Sequence, residues 1–231
     1  MAGPGRRPGA IRLGRNVMDD AYEALMSLVL DEGLSPGTPL RIDAIAREWG
    51  VSQTPLREAL AKLENTGLVV RVPNKGYMVA PLLSEDEFHQ LMKARLLIEP
   101  YNAREACSLD AAGTAEALRQ CHARMTAASD QQGEDDFRDY LRADSDFHDV
   151  IAKACGNRFL EAVIDPLGAH IQRFRRFHGG RVTDSCVALA EHQAILDAFE
   201  GADPGRCENA MRLHLQGVAA RAHGTAEGAG A

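Results

Sequence analysis

Two β-rich runs, "LVVRV" at 68–72 and "GYMVA" at 76–80, are joined by "PNK" and follow directly on a series of short helical patterns. They predict a hairpin appended to helices in an otherwise helical chain. Ahead of them, helical periodicity covers about 19–32 and stops at Gly33 and the turn-forming "SPG" of 35–37. A short helix is expected over 42–49, with Gly50 as its C-cap. A third is expected over 53–65, where Leu56, Ala59, Leu60 and Leu63 follow the i, i+3, i+4, i+7 spacing of one buried face. Ser52 is placed as its N-cap and Pro55 falls in its first turn, where a missing N–H costs little.

From Ser84 onward nothing reads as strand. Ser84 and Glu87 form a capping box opening a helix over about 85–107, with a kink expected at Pro100. Further helices are expected near 114–128, 134–155, 158–178, 184–200 and 204–222. Asn157, Thr183 and Asp203 are candidate N-caps. The expected fold is therefore mainly α: an N-terminal winged helix-turn-helix followed by an all-α antiparallel helical bundle. The boundaries read as a disordered basic arm at 1–14, the winged unit at 15–80, the helical domain at 84–223 and a disordered tail at 224–231.

Charge is divided unevenly along the chain. Residues 1–80 hold ten Lys+Arg against nine Asp+Glu, a net of +1, whereas the remainder holds 16 against 24, a net of -8. An acidic protein binds nucleic acid only if its basic groups gather on one module, and the N-terminal third is the candidate. The five cysteines are widely spaced and odd in number, which argues against a disulfide framework or a cysteine zinc site and fits a reducing cytoplasm. No apolar run reaches the ~18–20 residues of a membrane span. The arginine-bearing start of the chain lacks the apolar core of a secretory signal.

In a winged helix-turn-helix the second helix of the motif enters the major groove with its N-terminal residues at the base edges. Ser52 and Thr54, beside the free N–H groups of that helix end, suit phosphate oxygens. Arg57 can present two donors to guanine O6 and N7, and Gln53 matches adenine N6/N7. The hairpin tip sets Lys75 beside Gly76, where backbone can approach a phosphate. Pattern alone leaves a second reading open, since such units also serve as plain packing modules.

The C-terminal half places polar groups on apolar stripes. Asp144 and His148, one turn apart, interrupt the stripe of Phe137, Tyr140, Leu141, Phe147 and Ile151. His192 lies on the stripe of Leu189, Leu196 and Phe199, and His214 on that of Cys207, Ala210, Met211 and Val218. Burying such groups unpartnered costs several kcal/mol each. One divalent metal would satisfy all four, and neutral imidazoles with a carboxylate suit zinc foremost, with nickel or manganese as alternatives. The bland alternative is an Asp144–His148 pair. Arg95 also lies inward, on the stripe of Phe88, Leu91, Met92 and Leu96. It either pairs with Glu99 at i+4 or offers a fork to a ligand carboxylate. Arg173, Arg175 and Arg176 read as a solvated basic face.

"GVSQTPLREALAKLENTGLV" followed by "RVPNKGYMVA" resembles the DNA-binding module of the GntR family of bacterial transcription regulators. "KARLLIEP", "DSDFHDVIAKACGN" and "EHQAILDAF" resemble the FCD effector domain of that family's FadR branch. The resemblance covers about residues 15–223. It implies a homodimeric, cytoplasmic regulator bound to double-stranded operator DNA with an inverted repeat; a repressor is expected, with the residues leaving the sign of regulation open. It also implies a divalent metal on Asp144, His148, His192 and His214, with a small carboxylic acid effector at or beside it, which favours Arg95 as the acid's partner. Thr54 and Arg57 match the family pattern; Gln53 departs from the arginine that many members carry there. A competing class is a metal-dependent hydrolase of the HD type, suggested by His148-Asp149. Its further ligands (His122, and Asp197 or Asp203) have no supporting motif.

Overall fold

The computed structural model describes residues 17–30, 34–129, 133–177 and 185–226. The chain divides into two compact units, Met1–Leu82 and Leu83–Ala231. The arm expected at 1–14 and the Thr183 cap lie outside the described residues.

In the first unit, α1 (Val17–Leu30) buries Ala21, Tyr22, Leu25, Met26 and Val29 and packs against α3 (Gln53–Glu64). Between them, α2 (Ile42–Trp49) ends at Gly50, whose left-handed φ of 70° lets its N–H reach the Ala46 carbonyl. A side chain there would be strained, so this glycine sets the turn between α2 and α3. Leu56, Ala59, Leu60 and Leu63 are all fully buried on one face of α3. At about 2 kcal/mol per buried leucine, the three leucines anchor α3 by about 6 kcal/mol. β1 (Val69–Val72) and β2 (Gly76–Val79) form the hairpin, with Val69 opposite Val79 and Val72 opposite Gly76. A segment before α2 adds a third line to this wing: Pro39 bridges to Met78, and the Leu40 N–H donates to Tyr77 O at 2.9 Å.

The second unit is a helical bundle of α4 (Glu85–Ser129), α5 (Glu134–Ala154), α6 (Arg158–Phe177), α7 (Ser185–Glu200) and α8 (Pro204–Ala226). Helix α4 packs against α5, α7 and α8, while α6 lies on α5 and α7 on α8. Phe88, Met92, Leu118, Phe147, Phe199 and Met211 belong to one continuous core. Asn157 Oδ1 accepts the Phe159 and Leu160 N–H groups, and Asp203 Oδ1 accepts that of Arg206, so both expected caps are made. Helix α8 runs to Ala226, into the segment expected as a tail; residues 227–231 lie outside the described residues.

One expectation is corrected. The helix expected to kink at Pro100 passes through that residue unbroken; the break comes at Asp110 (φ -153°, ψ 79°), between the helices expected over 85–107 and 114–128. Pro100 forfeits one backbone hydrogen bond, but the buried residues around it, Arg95, Glu99, Asn102 and Ala103, keep the helix on course. Asp110 leaves the helix because its Oδ1 accepts the Gly113 N–H at 2.9 Å, capping the segment that follows. Asp110→Ala should therefore lower the stability of this unit by about 1 kcal/mol in denaturant titration; an unchanged midpoint would mean the cap is idle.

Among the described residues no helix is long and apolar enough to cross a membrane. The five cysteines are free thiols, four of them buried and Cys186 exposed.

Candidate functional site

Two sets of groups stand out, one in each unit. In the first, the buried face of α3 forces its opposite face outward, so Ser52, Gln53, Thr54 and Arg57 are all exposed. Ser52 has extended backbone (φ -73°, ψ 160°), as an N-cap requires, yet its hydroxyl makes no capping bond. The N-terminal N–H groups of α3 and two hydroxyls thus face outward together, the arrangement that receives an anion. Arg57 Nη2 donates to Gln53 Oε1 at 3.1 Å across one helical turn. At the hairpin tip Asn74 (φ 63°) and Gly76 (φ 83°) turn the chain, and Lys75 is exposed. A Cβ at Gly76 would meet no atom within 4 Å, so its backbone is open to close approach. These six residues share the chemistry of phosphate and base contact.

In the second unit, α5, α7 and α8 bring His148, His192 and His214 together. Each ring offers a nitrogen, and the three lie within 4.8 Å of one another. All are buried, His192 completely. Asp144, one turn before His148 on α5, is also buried and sets Oδ1 at 3.5 Å from His192 Nε2. The Phe147 ring stands edge-on to His192 at 4.7 Å between centroids, closing the cluster from the core side.

Each imidazole is steered by a neighbour. His192 Nδ1 lies 2.8 Å from the Ala188 carbonyl, which can only accept, so this nitrogen carries the proton and Nε2 bears the lone pair. His214 Nδ1 donates to Glu191 Oε2 at 2.9 Å, and Arg221 grips Glu191 with two bonds of 2.6 and 2.8 Å. His148 Nδ1 lies 2.6 Å from Glu99 Oε2, although its direction misses hydrogen-bond geometry. Arg95 grips the far side of Glu99 through Nε and, at 3.2 Å, through Nη2. A carboxylate or carbonyl behind each ring is the second layer that metal-binding histidines need.

Electrostatics point the same way. Burial raises the Asp144 carboxyl, but Arg175 and the surrounding imidazoles outweigh it and hold the group well below the usual carboxylate range. Burial pushes His192 far below its ordinary value, and it lowers His214 despite the bond to Glu191. His192 and His214 held neutral, with an ionised Asp144, are donors suited to a divalent cation. Asp144 Oδ1 and His192 Nε2 are buried without a hydrogen-bond partner, a cost of about 1–3 kcal/mol each unless something binds them. The residues therefore fit a metal. The bland alternative, an Asp144–His148 pair, is not what the geometry shows: Asp144 faces His192 and His148 faces Glu99.

Other readings change. Arg95 takes the internal option, since its fork is filled by Glu99 and both are buried. The basic cluster of α6 is not a solvated face: Arg173 is 2% exposed and Arg175 lies 3.5 Å from Asp144 Oδ1. Sequence reasoning gave no site role to Glu191, Arg221 or Arg175 and knew Glu99 only as a partner for Arg95. Nothing local marks them, because each acts across helices. The groups expected of an HD-type hydrolase are engaged elsewhere. His122 Nε2 lies 3.1 Å from Leu189 O, Asp197 accepts from Gln193, and Asp203 caps α8.

Beside Arg95, Glu99, Asp144 and His148 the interior leaves a cavity of about 10 Å³, room for one water or ion and no more. Glu191 and His214 also line an open groove of about 690 Å³ between α7 and α8.

Comparison with known proteins gives the following. Residues 18–79 match the model described as bacterial regulatory proteins, gntR family, and residues 90–217 match the FCD domain. An HTH-type transcriptional regulator in an unstable DNA locus of Streptomyces ambofaciens is 30% identical over 207 residues, covering 89% of this chain and 84% of that protein. The HTH-type transcriptional repressor RspR of Escherichia coli K12 is 28% identical over 202 residues, covering 87% of each. Among solved structures, E. coli McbR/YncC superposes with a TM-score of 0.77 at 16% identity, covering 89% of this chain and 96% of that one.

Proposed function

The chain belongs to the GntR family of bacterial regulatory proteins, with a C-terminal FCD domain, and from that premise we propose that it is a metal-loaded, acid-responsive operator-binding regulator. As a transcriptional regulator it performs no catalysis of its own. The observation that carries the finer reading is the convergence of Asp144, His148, His192 and His214 from three helices, with two ligand-type atoms buried and without a hydrogen bond.

In this reading the exposed face of α3 reads the major groove. Arg57 takes a guanine, Ser52 and Thr54 take phosphates, and Lys75 with Gly76 holds the flanking backbone. Two copies bind an inverted repeat with half-sites about 34–36 Å apart. Asp144, His148, His192 and His214 hold a divalent metal, zinc foremost by donor type, with nickel or manganese also compatible. The metal supplies a positive centre for the carboxylate of a small organic acid. The 10 Å³ cavity is too small for such an acid, whereas the groove of about 690 Å³ lined by Glu191 and His214 is open. Arg175 is the guanidinium best placed to follow the acid's charge, with 17% of its side chain exposed beside Asp144. Arg95 can take that role only by exchanging Glu99 for the acid. The acid shifts operator occupancy to the extent that it prefers one arrangement of the helical unit over the other.

The test is selection of bound sequences from a random DNA pool at near-physiological salt. A short inverted repeat is expected. Arg57→Ala should reduce discrimination at one base pair per half-site by roughly 5- to 150-fold, corresponding to about 1–3 kcal/mol. Recovery of no sequence preference would sink the DNA-reading role, and an unchanged preference in Arg57→Ala would remove this residue from it.

A further inference from the structure

We infer that Gln53 positions Arg57, and that the two read one base pair as a unit. This rests on the reading of α3 as the DNA-reading helix. An amide that recognises adenine uses both its ends at once: the carbonyl oxygen accepts from N6 and the NH₂ donates to N7. Gln53 does not have both ends available. Its Oε1 accepts from Arg57 Nη2 at 3.1 Å, between two exposed side chains one turn apart on the same face of α3.

The donor side loses nothing by this bond. A guanidinium has five N–H groups in a planar fork, and a guanine edge takes two. One Nη2 hydrogen goes to Gln53, and the other four N–H groups remain, enough for a two-donor contact. Pinning the guanidinium before DNA arrives removes part of the ordering cost that a free arginine pays on binding. It also fixes the plane of the fork, on which a bidentate contact depends. The amide is therefore spent on aiming Arg57, and the pair reads guanine where Gln53 alone would read adenine.

Three variants of the full chain separate the two roles. Gln53→Glu keeps an acceptor for Arg57 but has no donor for adenine N7. Gln53→Met keeps the length and removes both hydrogen-bonding ends. Arg57→Ala removes the reader. Both positions of change are exposed, so melting temperatures serve as the folding control.

Base preference is then read by selection from the random DNA pool and by equilibrium binding to the selected site and its single-base variants. Gln53→Glu should keep every wild-type preference, although its overall affinity falls because a negative charge is brought near phosphate. Gln53→Met should weaken preference several-fold at the same base pair that Arg57→Ala affects, and add nothing once Arg57 is gone. Loss of preference at a different base pair in both Gln53 variants, with the Arg57 position untouched, would show Gln53 reading its own base. Full wild-type preference in Gln53→Met would equally overturn the inference. A wild-type protein that selects no sequence at all would bring down the underlying reading, and this inference with it.

Discussion

Chelation of the bound metal should lower the melting temperature of the protein by about 8–16 °C, and His192→Ala should abolish that difference. A ligand held at a thousand times its dissociation constant stabilises the folded state by about 4 kcal/mol. For a chain of this size each kcal/mol moves the midpoint by about 2–4 °C. His192 is the ligand to remove because it is fully buried, its Nδ1 is committed to Ala188 O, and its Nε2 faces Asp144. The alanine variant also loses packing against Phe147, so its absolute midpoint falls for a second reason. The informative quantity is the gap between metal-loaded and chelated samples of the same variant. Calorimetry with metal analysis measures it. A stoichiometric metal at wild-type affinity in His192→Ala would refute the ligand assignment, and the absence of any gap in the wild type would refute the metal.

Glu99→Ala should destabilise the helical unit by about 3–5 kcal/mol, the cost of leaving a buried charge without its partner. Arg95 and Glu99 are 4% and 3% exposed, and Glu99 stands between the Arg95 guanidinium and His148. Burial pushes the Glu99 carboxyl up, but Arg95 and His148 outweigh it and keep the group ionised. Removing it strands Arg95 in the core. Replacing both partners, as in Arg95→Met with Glu99→Leu, should recover most of the loss, since an apolar pair of similar volume is tolerated where a lone charge is not. Metal affinity should still fall about 10- to 100-fold in the double variant, because His148 has lost the carboxylate behind it. Denaturant titration reads the first effect and metal competition the second. Equal stability of the single and double variants would mean that the pair is not acting as a charge pair.

The winged unit was legible because its signals are local. The spacing of Leu56, Ala59, Leu60 and Leu63 gives α3 and its buried face, Gly50 gives the turn, and "PNK" between β-rich runs gives the hairpin. The bridge from Pro39 to Met78 was not legible, since it pairs segments with no shared periodicity. In the helical unit the break in α4 was legible, since Asp110 falls between the helices expected over 85–107 and 114–128, but the further kink expected at Pro100 is absent. Proline is the louder local signal, but the packing around Pro100 overrides it, while the hydrogen bond from Gly113 to Asp110 releases the helix ten residues later.

The sequence by itself determined which groups must find a partner. A carboxylate and three imidazoles on apolar stripes are inward whatever the arrangement of helices, because periodicity alone assigns their face. It likewise determined that Gln53 and Arg57 share the outer face of α3. Only the tertiary structure decided whom each group meets. Glu99 comes to His148, Glu191 with Arg221 to His214, and Arg175 to Asp144, across separations of about 23 to 49 residues along the chain. Contacts at that range are set by how helices pack, and periodicity carries a face but no address. The inward groups could be read from the chain, and the layer that holds them in place could not.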